Sequence, residues 1–195
     1  MPGQIVILNG APRSGKSSIA AALQTRLDGV WVNLGVDSAI ATLPERFRPG
    51  IGLRPGGERP DLEPLVQRLY AAQFEAIAAY SRQEVNVVAD FGIHDGYTQP
   101  LGIWPDMLQR LASLPLLTVG VLCPIETIMA RRNANPSGYV AGPGVPEPVQ
   151  RWQETVHLGH AYDCVIDTSM LTPEAAADAI GQRLGLSVTN GSATP

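Results

Sequence analysis

The chain has 195 residues, a formal net charge of −4 and a pI near 5.3; 45% of its residues are apolar and 16% charged. That charged fraction, below the roughly 25% of an average globular protein, excludes a disordered polyelectrolyte, and the acidic balance excludes a broad nucleic-acid footprint. The length suits one domain, over residues 1–186, followed by a small polar and flexible tail at 187–195.

The first element is the apolar run Gln4 to Leu8, which reads as a strand buried on both faces and stops at Asn9-Gly10. Ile19, Ala22, Leu23 and Leu27 then share one helical face from Gly15 to Asp28-Gly29. Val30 to Val36 reads as strand two, Val85 to Ala89 as strand three, Leu116 to Cys123 as strand four and Cys164 to Ile166 as strand five. Helical patterns fill the gaps, from Leu65 to Ala78 and from Trp104 to Leu111. This alternation predicts an α/β protein, a five-stranded parallel sheet with helices on both faces. Residues 44–64 and 131–148 are rich in Pro and Gly and read as loops that enclose a ligand, the second as a lid segment. Cys123 and Cys164 are 41 residues apart and lie in apolar runs, which argues against a disulfide framework. The N-terminus lacks a secretory pattern and no apolar run reaches the roughly 18 residues of a membrane span, so a cytoplasmic protein with no membrane partner is expected.

Gly10-Ala11-Pro12-Arg13-Ser14-Gly15-Lys16-Ser17 matches GxxxxGK(S/T), and Ser18 follows it inside the first helix. The motif sits where its mechanism requires, between a buried strand and an amphipathic helix. Loop N–H groups and the helix N-terminus would meet phosphate oxygens, Lys16 would reach the β- and γ-phosphates, and the Ser17 hydroxyl would ligate Mg²⁺. Lys16 is the only lysine among 14 basic residues. A Ras-like GTPase would need a second lysine for guanine recognition, so that class is disfavoured. Asp90, at the end of strand three, holds the second Mg²⁺-binding position, the alternative being a carboxylate that caps the turn. Phe91 follows it where a hydrolytic ATPase usually has Glu, which favours transfer over hydrolysis.

Phosphoryl transfer needs a group that takes the proton of the acceptor hydroxyl. Helix one carries the chain about 20 Å from the phosphate edge and strand two brings it back, so Asp37 returns to the edge that holds Lys16. That edge is where open α/β sheets bind ligands. The alternative is that Asp37 or Ser38 N-caps a short helix from Ser38 to Leu43.

The combination of ILNG-xxxx-GKSS, GVDS at 35–38 and VHLGHAYDCVIDTS at 156–169 resembles the chloramphenicol phosphotransferase family of small P-loop kinases over nearly the whole chain. In the last segment Val156, His157, Gly159, Tyr162, Asp163, Asp167 and Thr168 fit the pattern VHxGxxYDxxxDT. The resemblance implies a three-layer P-loop fold and ATP-dependent O-phosphorylation of a small hydroxylated acceptor. It also implies Asp37 as base, Lys16 and Ser17 at the phosphates and Mg²⁺, and the segment after strand five near adenine. Where the family carries a pattern like RxxxRGDR after strand four, this chain reads Arg131-Arg132-Asn133-Ala134. Arg131 aligns and Arg132 is adjacent, which makes both candidates for the phosphoryl clamp; an exposed basic helix end is the alternative. Arg151 is a further candidate.

Leu43, Phe47, Phe91, His94, Tyr97 and Trp104 are expected as acceptor-pocket walls, the equal alternative for each being ordinary core. His157 and His160 have HxxH spacing, but no fourth ligand accompanies them and Cys164, so zinc is disfavoured. Two other functions share the same donor machinery: a metabolic kinase of a nucleoside or sugar acid, and a nucleotide-binding module without turnover.

Overall fold

The computed structural model describes residues 1–48, 59–135 and 144–187. Five strands, β1 (Ile5–Asn9), β2 (Trp31–Asn33), β3 (Asn86–Phe91), β4 (Leu116–Leu122) and β5 (Cys164–Asp167), form one parallel sheet in the order β2-β3-β1-β4-β5. Central β1 is buried at every position, and its side chains alternate between two cores. Ile5 and Ile7 face one layer, formed by α3 (Glu63–Arg82) and α4 (Ile103–Leu111). Val6 and Leu8 face the other, formed by α1 (Lys16–Arg26) and α7 (Pro173–Arg183). On α3 the spacing of Val66, Tyr70, Phe74, Ile77 and Ala78 lays one stripe on the sheet, where Tyr70, Phe74 and Phe91 form a three-ring cluster. Arg26 bonds Asp178 through two nitrogens, at 2.6 and 2.7 Å, between α1 and α7. The pair is part-exposed and screened by solvent, so burial of Ala176, Ala177 and Ile180 holds the two helices together more strongly.

The expected three-layer α/β architecture is therefore present, with shifted boundaries. Strand two is shorter than Val30 to Val36: Val30 is exposed, and the chain turns at Gly35 into α2 (Val36–Ala41). The 44–64 segment is not loop throughout, since 3₁₀ turns occupy Glu45–Phe47 and Pro60–Leu62. Pro64 lies in the first turn of α3, where a missing N–H costs nothing. The 131–148 segment begins as the last turn of α5 (Ile125–Ala134) and ends as the first turn of α6 (Glu147–Thr155). Its middle, residues 136–143, together with 49–58 of the first loop and 188–195 of the tail, lies outside the described residues. Helices α6 and α7 are not legible as periodic stripes: α6 buries only Trp152, and the buried face of α7 is mostly alanine and glycine.

Candidate functional site

A cleft of about 760 Å³ opens at the carboxyl edge of the sheet, between the β1–α1 loop and α2. The loop turns through left-handed backbone at Arg13 (φ 68°) and Gly15 (φ 100°), and Gly15 caps α1 without a side-chain bond. No side chain therefore competes with a ligand for the first N–H groups of α1. Gly10 lies so close to the Val121 carbonyl that a Cβ would collide with it. Gly10, Pro12, Arg13, Gly15, Lys16, Ser17 and Ser18 line the cleft, whereas Ala11 and Ser14 are buried and act through their backbone. Their carbonyls accept from Lys16 Nζ at 2.8 Å and from Thr168 Oγ1 at 2.6 Å.

Desolvation draws the Lys16 pKa down to about 8, and the nearby Asp90 and Asp37 carboxylates oppose that fall only in part. Ser17 Oγ donates to Asp90 Oδ2 at 2.7 Å, which joins the P-loop hydroxyl to the aspartate at the end of β3. One hydroxyl and one carboxylate form a sparse, hard oxygen set, of the kind that holds Mg²⁺ when phosphates supply further ligands. Among the described residues no group of three or more His, Cys, Asp or Glu side chains is placed to hold a metal ion, and His157, His160 and Cys164 do not assemble into one.

Asp37 lines the same cleft and is exposed. It is not a helix cap. Gly35 holds the N-cap position of α2, no side chain caps it, and Asp37 lies in the first turn, where the helix end favours a carboxylate. Ser38 Oγ instead bonds back to the Gly35 carbonyl at 2.6 Å. Gln73 of α3 donates to the carbonyls of Leu34 and Gly35, at 2.6 and 3.0 Å. A Cβ on Gly35 would collide with Asp90 Oδ1, so only glycine lets the turn that carries Asp37 approach the β3 aspartate.

Arg131 lines the cleft, and its guanidinium reaches Thr168 and the P-loop. The Arg132 side chain is buried and does not line the cleft, and Arg151 pairs with Glu147 along α6. Of the expected acceptor walls only Phe91 faces this cleft. His94 is fully buried, stacked on Tyr97 and edge-on to Trp152. Trp104 stacks on His160, and Arg46 lies over the Phe47 ring. Leu43 borders a separate small apolar groove with Val36, Ala39, Ile40, Val66 and Leu69.

The His and Tyr of the 156–169 segment lie behind the loop. Asn9 Nδ2 donates to the Ile93 and Val156 carbonyls and to Tyr162 Oη, and Asn9 Oδ1 accepts from the Ile93 N–H. Tyr162 Oη also pairs with His157 Nδ1 at 2.9 Å. Desolvation, with help from His160 and Lys16, lowers the His157 pKa to about 4, so its ring is neutral at neutral pH. Asp163 accepts from the Thr118 N–H and hydroxyl and ties β5 to β4. Three residues at the cleft escape individual assignment from sequence. Thr168 and Gly35 have their signal inside longer motifs, and Trp152 only in being a lone tryptophan on a polar helix.

A phosphate loop between β1 and α1, its serine bonded to the aspartate ending the adjacent strand, and the 2-3-1-4-5 parallel order are the marks of a small P-loop kinase. Solved structures share this fold. The tunicamycin resistance protein of Deinococcus radiodurans superposes with a TM-score of 0.65 at 19% identity, over 97% of this chain and 99% of that one. The APS kinase of Mycobacterium tuberculosis gives 0.63 at 12% identity over 94% and 98%, and the shikimate kinase of Acinetobacter baumannii 0.57 at 12% over 93% and 93%. No curated protein sequence matches significantly. The family model for chloramphenicol phosphotransferase-like proteins matches residues 3–185, and the chain belongs to that family. Membership implies ATP use and a small-molecule substrate. No helix among the described residues is long and apolar enough to cross a membrane.

Proposed function

We propose that the protein is an ATP-dependent O-phosphotransferase of a small hydroxylated acceptor, a chloramphenicol-like antibiotic or a related metabolite, with Asp37 as general base. The observation that carries this reading is the exposed Asp37 carboxylate in the same cleft as Lys16, free of a capping role. Asp37 takes the proton of the acceptor hydroxyl as that oxygen bonds to the γ-phosphorus and the bond to ADP breaks. Lys16 and the loop N–H groups meet the charge on the phosphates, with Arg131 as clamp. Ser17 and Asp90 would hold Mg²⁺, which when bound neutralises phosphate charge.

The test is ATP consumption with chloramphenicol and a panel of hydroxylated acceptors, in wild type and Asp37→Asn. Acceptor-stimulated turnover is expected, and the variant should lower it by about 10²–10⁴-fold while ATP affinity and melting temperature stay close to wild type. Unchanged transfer in Asp37→Asn would remove it as the base. Tight ATP binding that no acceptor converts to turnover would favour a nucleotide-binding module.

A further inference from the structure

Thr168 follows β5 and is 9% exposed. Its Oγ1 donates to the Ser14 carbonyl at 2.6 Å and accepts from Arg131 Nη1 at 3.1 Å, while its own carbonyl accepts from Arg131 Nη2 at 2.8 Å. Arg131 Nη1 also lies 3.2 Å from the Arg13 carbonyl and 3.4 Å from Cys123 Sγ. Three of these four acceptors are carbonyl or hydroxyl oxygens and none is a carboxylate, so the guanidinium is held without an acidic partner. Gly15 passes beneath this pair in left-handed backbone (φ 100°), and a Cβ there would be a tight neighbour, 3.3 Å from Arg131 Nη1 and 3.4 Å from Thr168 Cγ2. Residues 134–148 contain no Lys or Arg, so that segment brings no second cation to the phosphates.

We propose that Thr168 is a positioning residue for nucleotide phosphates: its hydroxyl and carbonyl fix Arg131 as a stationary cation in the P-loop wall. This rests on the kinase reading, through the role given to Arg131. The preorganisation removes the side-chain ordering that a mobile arginine would undergo on binding. Calorimetric titration of the full chain with AMPPNP, and with adenosine as a phosphate-free control, tests it. Thr168→Val and Arg131→Ala should each weaken AMPPNP by roughly 10-fold or more, the scale of a lost charge-assisted bond, and weaken adenosine, which offers Arg131 no phosphate, by far less. The double variant should be no weaker than Arg131→Ala, and Thr168→Ser should restore affinity to near wild type. Thr168→Ala replaces Thr168→Val if the latter does not fold. AMPPNP affinity that survives loss of the hydroxyl, equal losses for adenosine, or additive losses in the double variant would overturn the proposal. Failure of the wild type to bind AMPPNP at all would instead overturn the kinase reading beneath it.

Discussion

On the phosphate side of the cleft, residues 10–18 run without interruption from the end of β1 into the first turn of α1, and Asp90, Arg131 and Thr168 reach in to hold them. On the other side, Asp37 stands on a six-residue helix with no buried residue, and the turn leading into it is held by Gln73, 38 residues beyond Gly35 in the chain, and by the fit of Gly35 against Asp90. The first side is a contiguous segment that lines the cleft along one stretch of chain. The second is a meeting of side chains from separate elements. Donor chemistry is common to many kinases and suits a loop of fixed geometry, whereas acceptor choice varies and is carried by parts that change singly.

The comparison breaks most sharply at Lys16. Lys16→Ala should lower acceptor phosphorylation by on the order of 10³-fold and leave the melting temperature near wild type, because no other lysine can replace its charge. Turnover close to wild type would mean that the loop backbone and Arg131 suffice on the phosphate side.

A smaller effect follows from the Lys16 pKa of about 8. Below that pH the ammonium is already charged and nucleotide binding needs no proton. Above it the ligand-free lysine is neutral, phosphates favour its charged form, and binding takes up a proton. Affinity should therefore fall as pH rises past 8, by up to about tenfold per unit. Calorimetry at pH 9 in buffers of different ionisation enthalpy should show net proton uptake in wild type and none in Lys16→Met. Equal heats after buffer correction would place the ammonium in a better solvated site.

The weakest effect concerns His157, behind the loop. Its pKa is about 4 when folded against an ordinary 6.5, so the unfolded chain binds more protons between those values. Its contribution to stability is complete above pH 6.5 and is lost as pH falls through 4. The melting temperature should drop on acidification across that window, and His157→Gln should flatten the profile there. An equally steep profile in the variant would assign the acid sensitivity to another group.

The donor half is legible in the sequence because the loop, its flanking strand and helix, and Lys16 are neighbours in the chain. Asp90 and Asp37 are legible because each lies at the carboxyl edge of a strand, where parallel topology sends it to the cleft. Trp152 and the bonds of Thr168 are not, since neither depends on periodicity. His94, Tyr97 and Trp104 show the opposite failure: aromatic residues following a strand suit a pocket wall, but stacking among themselves and with His160 and Trp152 buries them. The same competition shortens strand two, where the turn at Gly35 takes the chain into α2.

Gly35 has a consequence for exchanging parts between relatives. Because its bare Cα rests on the Asp90 carboxylate, the helix that carries Asp37 and the strand that carries Asp90 are registered to each other by one contact. A chimera that imports a different segment 36–48 onto this scaffold therefore has its natural seam just after Gly35. The graft keeps its alignment if Gly35, Gln73 and Asp90 travel with the recipient, and a side chain at position 35 would push the Asp37 helix away from Asp90 without altering either residue.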